Sequence, residues 1–222
     1  MSDKLRQEFI EFSVSAGVLS FGEFVTKAGR LSPYFFNAGL FNNGANLGRL
    51  AEFYAQTLLD SGVEFDMLFG PAYKGITLAA AVAIGLAKHG RNVPYAYNRK
   101  EAKAHGEGGT LVGAPVQGRV LIIDDVITDG AAKRESVALI RAQGAEPAGV
   151  VIMLDRMERT GNEPALSTES AVQAFEKTTG TPVICIANLD NLLGFLRSDS
   201  AYAATVRHQL PAVELYRNRY GA

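Results

Sequence analysis

Val120-Leu121-Ile122-Ile123-Asp124-Asp125-Val126-Ile127-Thr128-Asp129-Gly130-Ala131-Ala132 decides how this chain folds. It opens with four apolar residues, three of them β-branched, the pattern of a strand buried on both faces. The strand ends in two adjacent acids. A threonine, a glycine and small residues follow, then a helical stretch from Ala131 to Gln143, with Gly144 placed as its cap. In open α/β sheets, ligands bind beyond the carboxyl ends of the strands. Adjacent acids there can accept hydrogen bonds from sugar hydroxyls. The free N–H groups of the turn and helix start can hold an anion, and Gly130 lets the backbone approach it closely. Two acids ahead of a helix also complement its dipole. That role alone does not account for a fully apolar strand ending in two carboxylates.

Outward from this segment, strand-like and helix-like stretches alternate. Leu47, Leu50, Ala51, Tyr54 and Leu58 form the stripe of an amphipathic helix that stops at Ser61-Gly62. Met67-Leu68-Phe69 reads as a strand, Pro71 to Gly75 as a turn, and the Ala-rich stretch Ile76 to Lys88 as a buried helix. Val93 to Tyr97 is a short strand. Val150 to Leu154 and Val183 to Ile186 are further buried strands, with a helix from Glu169 to Lys177 between them. This alternation predicts an α/β fold, a mostly parallel central sheet flanked by helices on both faces. Residues 1–40 or so and the last ~30 break the alternation. They are expected to form a hood over one edge of the sheet, around a core of about residues 45–190, all within a single domain spanning 1–222. Arg99 to Gln117, with four glycines and mixed charges, reads as one long unpatterned loop. Loops of that length in compact domains are usually functional or disordered.

Composition narrows the classes further. Of 222 residues, 47% are hydrophobic and 20% charged, a globular balance rather than a disordered one. Twenty-two basic and 23 acidic residues give a net charge of −1, so no basic excess suggests nucleic-acid binding. No apolar run approaches the ~20 residues needed to cross a bilayer. The N-terminal MSDKLRQEFIEF mixes charges with its apolar residues, unlike a secretory signal. The one cysteine, Cys185, gives no internal disulfide, and His89, His105 and His208 are too scattered for a zinc site at usual spacing. The expectation is a cytoplasmic protein that binds neither nucleic acid nor membrane.

Segment 120–132 resembles the 5-phosphoribosyl 1-diphosphate (PRPP) signature of type I phosphoribosyltransferases. Four more blocks resemble the orotate phosphoribosyltransferase family, in that family's order. FVTKAGRLSPYFFN (24–37) is similar to its N-terminal hood and FGPAYKGI (69–76) to its diphosphate-contacting turn. NRKEAKAHG (98–106) is similar to its mobile catalytic loop, and Leu154-Asp155-Arg156 to its base-binding strand end. The resemblance spans nearly the whole chain. It implies the type I phosphoribosyltransferase fold with a small N-terminal hood. It also implies Mg²⁺-dependent transfer of ribose 5-phosphate from PRPP to N1 of orotate, giving orotidine 5′-monophosphate and diphosphate in de novo pyrimidine synthesis.

The same resemblance assigns residues. PRPP is held by Lys27, Tyr73, Lys74, Arg99, Lys100, Lys103 and His105 and by the run Asp124, Asp125, Val126, Ile127, Thr128, Asp129, Gly130, Ala131 and Ala132. Asp124 and Asp125 take the ribose hydroxyls, and Thr128 to Ala132 cradle the 5-phosphate. Lys103, Asp124 and Asp125 are the expected catalytic residues, with Lys103 offering charge to the departing diphosphate. A cis peptide is expected at Ala72-Tyr73. Orotate is held by Lys27, Phe35, Phe36, Thr128 and Arg156. Arg156 can grip a carboxylate in a bidentate fork that lysine cannot copy. Phe35 and Phe36 also suit plain core packing; adjacent strand residues face opposite ways, so at most one ring stacks on the base. Mg²⁺ is implied as a companion of diphosphate, bound mainly through PRPP and water, with no dedicated protein ligand. A homodimer is implied, in which loop 99–109 acts on the neighbouring subunit's site. Arg99, Lys103 and His105 would reach across, and Lys100 would serve its own subunit.

One stretch departs from the family pattern. The loop commonly reads Thr-Ala-Gly-Thr-Ala where this chain has Thr128-Asp129-Gly130-Ala131-Ala132. The hydroxyl missing at Ala131 forgoes about 1.5–3 kcal/mol of hydrogen bonding to phosphate. A carboxylate at Asp129, about 6 Å from phosphate, costs about another 1–3 kcal/mol. The rival readings are a transferase for a purine or another pyrimidine, which the hood block and Arg156 disfavour, and a non-catalytic PRPP sensor that binds nucleic acid, which the net charge disfavours.

Overall fold

The structure, a computed structural model, describes residues 2–26, 28–103, 109–128, 130–161 and 163–222, with 102, 103 and 109 described by backbone alone. The chain begins with α1 (Asp3–Ser15) and an antiparallel hairpin of β1 (Leu19–Val25) and β2 (Leu31–Phe36). Then come α2 (Gly44–Ser61), β3 (Met67–Gly70), α3 (Lys74–Lys88), β4 (Tyr95–Lys103), β5 (Gly109–Gly113) and β6 (Arg119–Ile123). They are followed by α4 (Ala131–Ala142), β7 (Glu146–Asp155), α5 (Ala171–Thr179) and β8 (Val183–Asn188), then α6 (Leu189–Arg197), α7 (Ala201–Val206) and α8 (Leu210–Tyr220).

The central sheet has the order β5-β4-β3-β6-β7-β8. Every neighbouring pair is parallel except β4–β5. Side chains alternate between faces along a strand, so a sheet covered on both sides needs apolar residues at consecutive positions. In β6, Leu121 and Ile123 join a core with Leu58 of α2 and Leu78 and Val82 of α3, while Val120 and Ile122 join a second core with Val137 and Ile140 of α4 and Phe175 of α5. β7 repeats the division, with Val151 and Met153 on one side and Val150 and Ile152 on the other. These eight strand side chains are at most 1% exposed. Each large one contributes about 1.5–3 kcal/mol by burial, which anchors the strand that carries Asp124 and Asp125.

The stretch Arg99 to Gln117 corrects the sequence reading. It contains the outer half of β4 and all of β5, paired antiparallel with Tyr97 opposite Val112 and Asn98 opposite Leu111. An edge hairpin needs no apolar residue at every position, so glycines and charges hide a strand there. Two boundaries move for local reasons. Ser170 caps α5 reciprocally with Gln173, so that helix starts at Ala171, two residues beyond the expected Glu169. β4 starts at Tyr95, two residues beyond Val93.

Arg30, between β1 and β2, donates to the carbonyls of Arg159 (2.7 Å) and Gly161 (2.6 Å). Ser32 accepts from Arg156 at 3.0 Å. The hairpin therefore sits over the carboxyl end of β7, with α8 packed on β2, while α1 packs on β8 and α6.

Candidate active site

Asp124 and Asp125 follow β6 directly and are 7% exposed each. Each carboxylate has a lysine on one oxygen and a backbone N–H on the other. Asp124 Oδ2 lies 2.5 Å from Lys133 Nζ, and its Oδ1 accepts from the Asp125 amide at 3.0 Å. Asp125 Oδ2 lies 2.6 Å from Lys74 Nζ, and its Oδ1 accepts from the Val126 amide at 2.8 Å. The Tyr54 hydroxyl donates to the Asp124 carbonyl at 2.7 Å, which fixes the acid pair to α2. Burial pushes the Asp124 carboxyl above its usual range, and the Lys133 charge pulls it back only in part.

After the acids, Val126 is half-buried, Ile127 is buried and Thr128 is exposed. Gly130 takes φ 70° at the start of α4, and a Cβ there would meet the Arg134 guanidinium at 2.9 Å. Ala131 and Ala132 form the exposed first turn of α4.

The turn after β3 approaches the same strand end. Ala72-Tyr73 is cis, as the family resemblance implies, and the Ala72 amide donates to Asn98 Oδ1 at 2.8 Å. Gly75 lies where only a glycine fits, because a Cβ would meet Pro71 Cδ at 2.5 Å and the Ile123 carbonyl at 2.8 Å. Tyr73 is 68% exposed, and Lys100 Nζ from β4 sits 4.9 Å from its ring centroid. Arg99 also lies on β4, beside this turn's Asn98 contact.

A cleft of about 410 Å³ opens between the hairpin and the ends of β6 and β7. Phe35, Phe36, Thr128, Arg156 and Arg30 line it. Phe35 is 42% exposed and stacked on Phe24, whereas Phe36 tilts against Phe9 of the core. Of the two rings, Phe35 is the more exposed. Arg156 donates from Nε to Glu158 Oε1 at 2.8 Å, and its Nη2 lies 2.6 Å from the same oxygen. The guanidinium lies 4.3 Å from the Tyr34 ring centroid. Burial works against the Arg156 charge, but Tyr34 and Glu158 outweigh it and hold the pKa above its ordinary value. Met157 takes a left-handed φ of 52°, and its amide donates to Asp155 Oδ1 at 2.8 Å. That strained residue turns the chain just after Arg156. Burial raises the pKa of Asp155 too, although the Met157 amide opposes the rise.

The structure thus brings together Tyr73, Lys74, Lys100, Asp124, Asp125, Val126, Ile127, Thr128, Gly130, Ala131, Ala132, Phe35, Phe36 and Arg156 around the ends of β3, β6 and β7. Lys27, His105 and Asp129 lie outside the described residues, as does the side chain of Lys103. Sequence reasoning missed Lys133, Glu158, Arg30 and Tyr54. Lys133 had a signal: it stands on the i, i+3, i+4, i+7 stripe with Ser136, Val137 and Ile140, where a core-facing residue is expected.

For Mg²⁺ the donor set is informative. Among the described residues no three His, Cys, Asp or Glu side chains converge as a metal cage. Asp124 and Asp125 are already engaged by lysines and amides. Such a set fits a cation that arrives with diphosphate oxygens and water.

A doubly covered sheet with an acid pair and the start of a helix at one strand end is the arrangement of the phosphoribosyltransferase class. The family described as "Phosphoribosyl transferase domain" matches residues 40–183. Orotate phosphoribosyltransferase of Herminiimonas arsenicoxydans is 65% identical over 219 residues, covering 99% of each chain. That of Ralstonia pickettii is 64% identical over 220 residues, covering 99% of this chain and 97% of its own. The crystal structure of the Francisella tularensis enzyme of that name superimposes with a TM-score of 0.83 at 41% identity, covering 97% of this chain and 100% of that one. The chain belongs to the orotate phosphoribosyltransferase family.

Proposed function

We propose that the protein joins orotate N1 to C1 of PRPP, releasing diphosphate and forming orotidine 5′-monophosphate. The observation that carries this reading is Arg156 in the same cleft as the exposed Phe35 ring and Thr128, next to the Asp124–Asp125 pair. A flat base can lie on Phe35 while its carboxylate meets the guanidinium and the Thr128 hydroxyl. The ribose hydroxyls donate to Asp124 and Asp125, and the 5-phosphate sits on the amides at the start of α4. Lys74 and Lys100 place positive charge where diphosphate departs, which favours a transition state with charge developing on the leaving group. Asp124 and Asp125 would meet Mg²⁺ through water, and the ion, bound with diphosphate, would supply charge neutralisation at the leaving group. Arg99, Lys103 and His105 act on the site of a neighbouring subunit in a homodimer, and the segment that carries them keeps water from C1.

Release of diphosphate from PRPP is the test of the reaction. It should require orotate and Mg²⁺, and faster release with hypoxanthine, adenine or uracil would defeat the reading. The shared site has its own test. Lys103→Ala and an inactive 124–132 variant should regain activity when mixed, because one hybrid site is intact. Mixtures that exchange subunits and stay inactive would contradict action across the interface.

A further inference from the structure

We infer that Lys133 is a positioning residue of the ribose site, whose ammonium holds the Asp124 carboxylate ionised and fixed for the sugar hydroxyls of PRPP. This rests on the reading of Asp124 as a ribose ligand. Lys133 occupies a core-facing position of α4, and its side chain is 9% exposed. A lysine on a helix's buried stripe departs from the apolar pattern, and such departures gather at functional sites. Its Nζ lies 2.5 Å from Asp124 Oδ2, whose own side chain is 10% exposed. A buried charge is tolerated when paired, so each group justifies the other.

The geometry divides the work on Asp124. Oδ1 is oriented by the Asp125 amide and Oδ2 by Lys133, so the carboxylate plane has no free rotation. Each oxygen retains lone-pair capacity for a sugar hydroxyl. The charged and titratable groups around it are Asp125 beside it, Lys74 of α3 acting through Asp125, Tyr54 of α2 at its backbone carbonyl, and Lys133 of α4. Asp125 repels a second negative charge, and burial opposes it as well. Lys133 is the charged side chain that directly opposes both, so its removal moves the pH at which Asp124 loses its charge upward. An ionised Asp124 accepts from sugar hydroxyls more strongly than a neutral carboxyl, so PRPP capture inherits that pH.

The test is the pH profile of kcat/KM for PRPP in wild type, Lys133→Met, Lys133→Gln and Lys133→Arg. Removing the charge should move the acid limb upward by about one pH unit or more, because a neighbouring opposite charge shifts a carboxyl by that much. The KM for PRPP should then rise about tenfold at the foot of the wild-type limb, while the KM for orotate stays near wild type. Lys133→Arg, which keeps the charge, should keep the wild-type limb. A wild-type limb in whichever of the Met and Gln variants is folded would overturn the inference. Titration of the Asp124 carboxyl by ¹³C NMR reads the same shift without turnover, and an unmoved titration in a folded uncharged variant overturns it too. Wild-type product formation is measured first. Its absence would defeat the functional reading, whereas an active wild type with an unmoved limb defeats only the role of Lys133.

Discussion

Arg156→Lys is expected to weaken orotate selectively. The guanidinium carries five N–H donors. Three are engaged by protein, two at Glu158 Oε1 through Nε (2.8 Å) and Nη2 (2.6 Å), and one at Ser32 Oγ (3.0 Å). In the proposed complex the substrate carboxylate would draw on the others. A lysine has three donors in all, on a point charge that cannot form a planar fork. It must satisfy Glu158, whose side chain is 16% exposed, before it serves a ligand. Loss of one charge-assisted hydrogen bond costs about 1.5–3 kcal/mol, or about 10- to 150-fold in orotate affinity. Steady-state kinetics with orotate varied at saturating PRPP reads this as a raised KM, with the KM for PRPP nearly unchanged. A KM for orotate within about twofold of wild type, in a protein with an unchanged melting temperature, would refute the assignment of Arg156 to the carboxylate.

Gly75→Ala should destabilise the fold by about 1–3 kcal/mol, because its Cβ would meet Pro71 Cδ at 2.5 Å and the Ile123 carbonyl at 2.8 Å; a lowered urea midpoint checks this. Ala131→Thr should tighten PRPP about tenfold or more, almost independently of salt, by supplying a hydroxyl to the phosphate; an unchanged dissociation constant would mean that backbone groups alone bind it. Asp66 makes a pH prediction. Its side-chain hydrogen bond with Arg119 lowers its pKa from 3.8 to about 2. A depressed carboxyl contributes stability above its unfolded pKa and loses it as pH falls through the folded value. The melting-temperature gap between wild type and Asp66→Asn should therefore be widest above about pH 4 and close toward about pH 2; a gap constant across that window would contradict it.

Where burial dictates residue type, the fold was readable from the chain. Val120 to Ile123 and Val150 to Leu154 are apolar at every position because both faces are covered, and their shortness and β-branching favour strand. The β4–β5 hairpin was not readable, because an edge strand facing solvent leaves glycines and charges unpunished. The acid pair, the glycine and the helix start were legible for a related reason: carboxylates directly after a buried strand are costly unless they bind something. Glu158 and Arg30 were not. Their roles depend on the hairpin crossing to residues 156–161, a contact between segments more than a hundred residues apart that no local pattern encodes. Lys133 lies between these cases. Its place on the apolar stripe of α4 was visible, but its partner was not.

On the proposed reading, one cleft selects a carboxylated pyrimidine and joins it to PRPP. The most direct measurement is a competition: equimolar orotate, uracil, hypoxanthine and adenine with limiting PRPP and Mg²⁺, and separation of the nucleotides formed. Orotidine 5′-monophosphate should take essentially all the PRPP consumed. A product mixture dominated by any of the other three nucleotides would contradict the account.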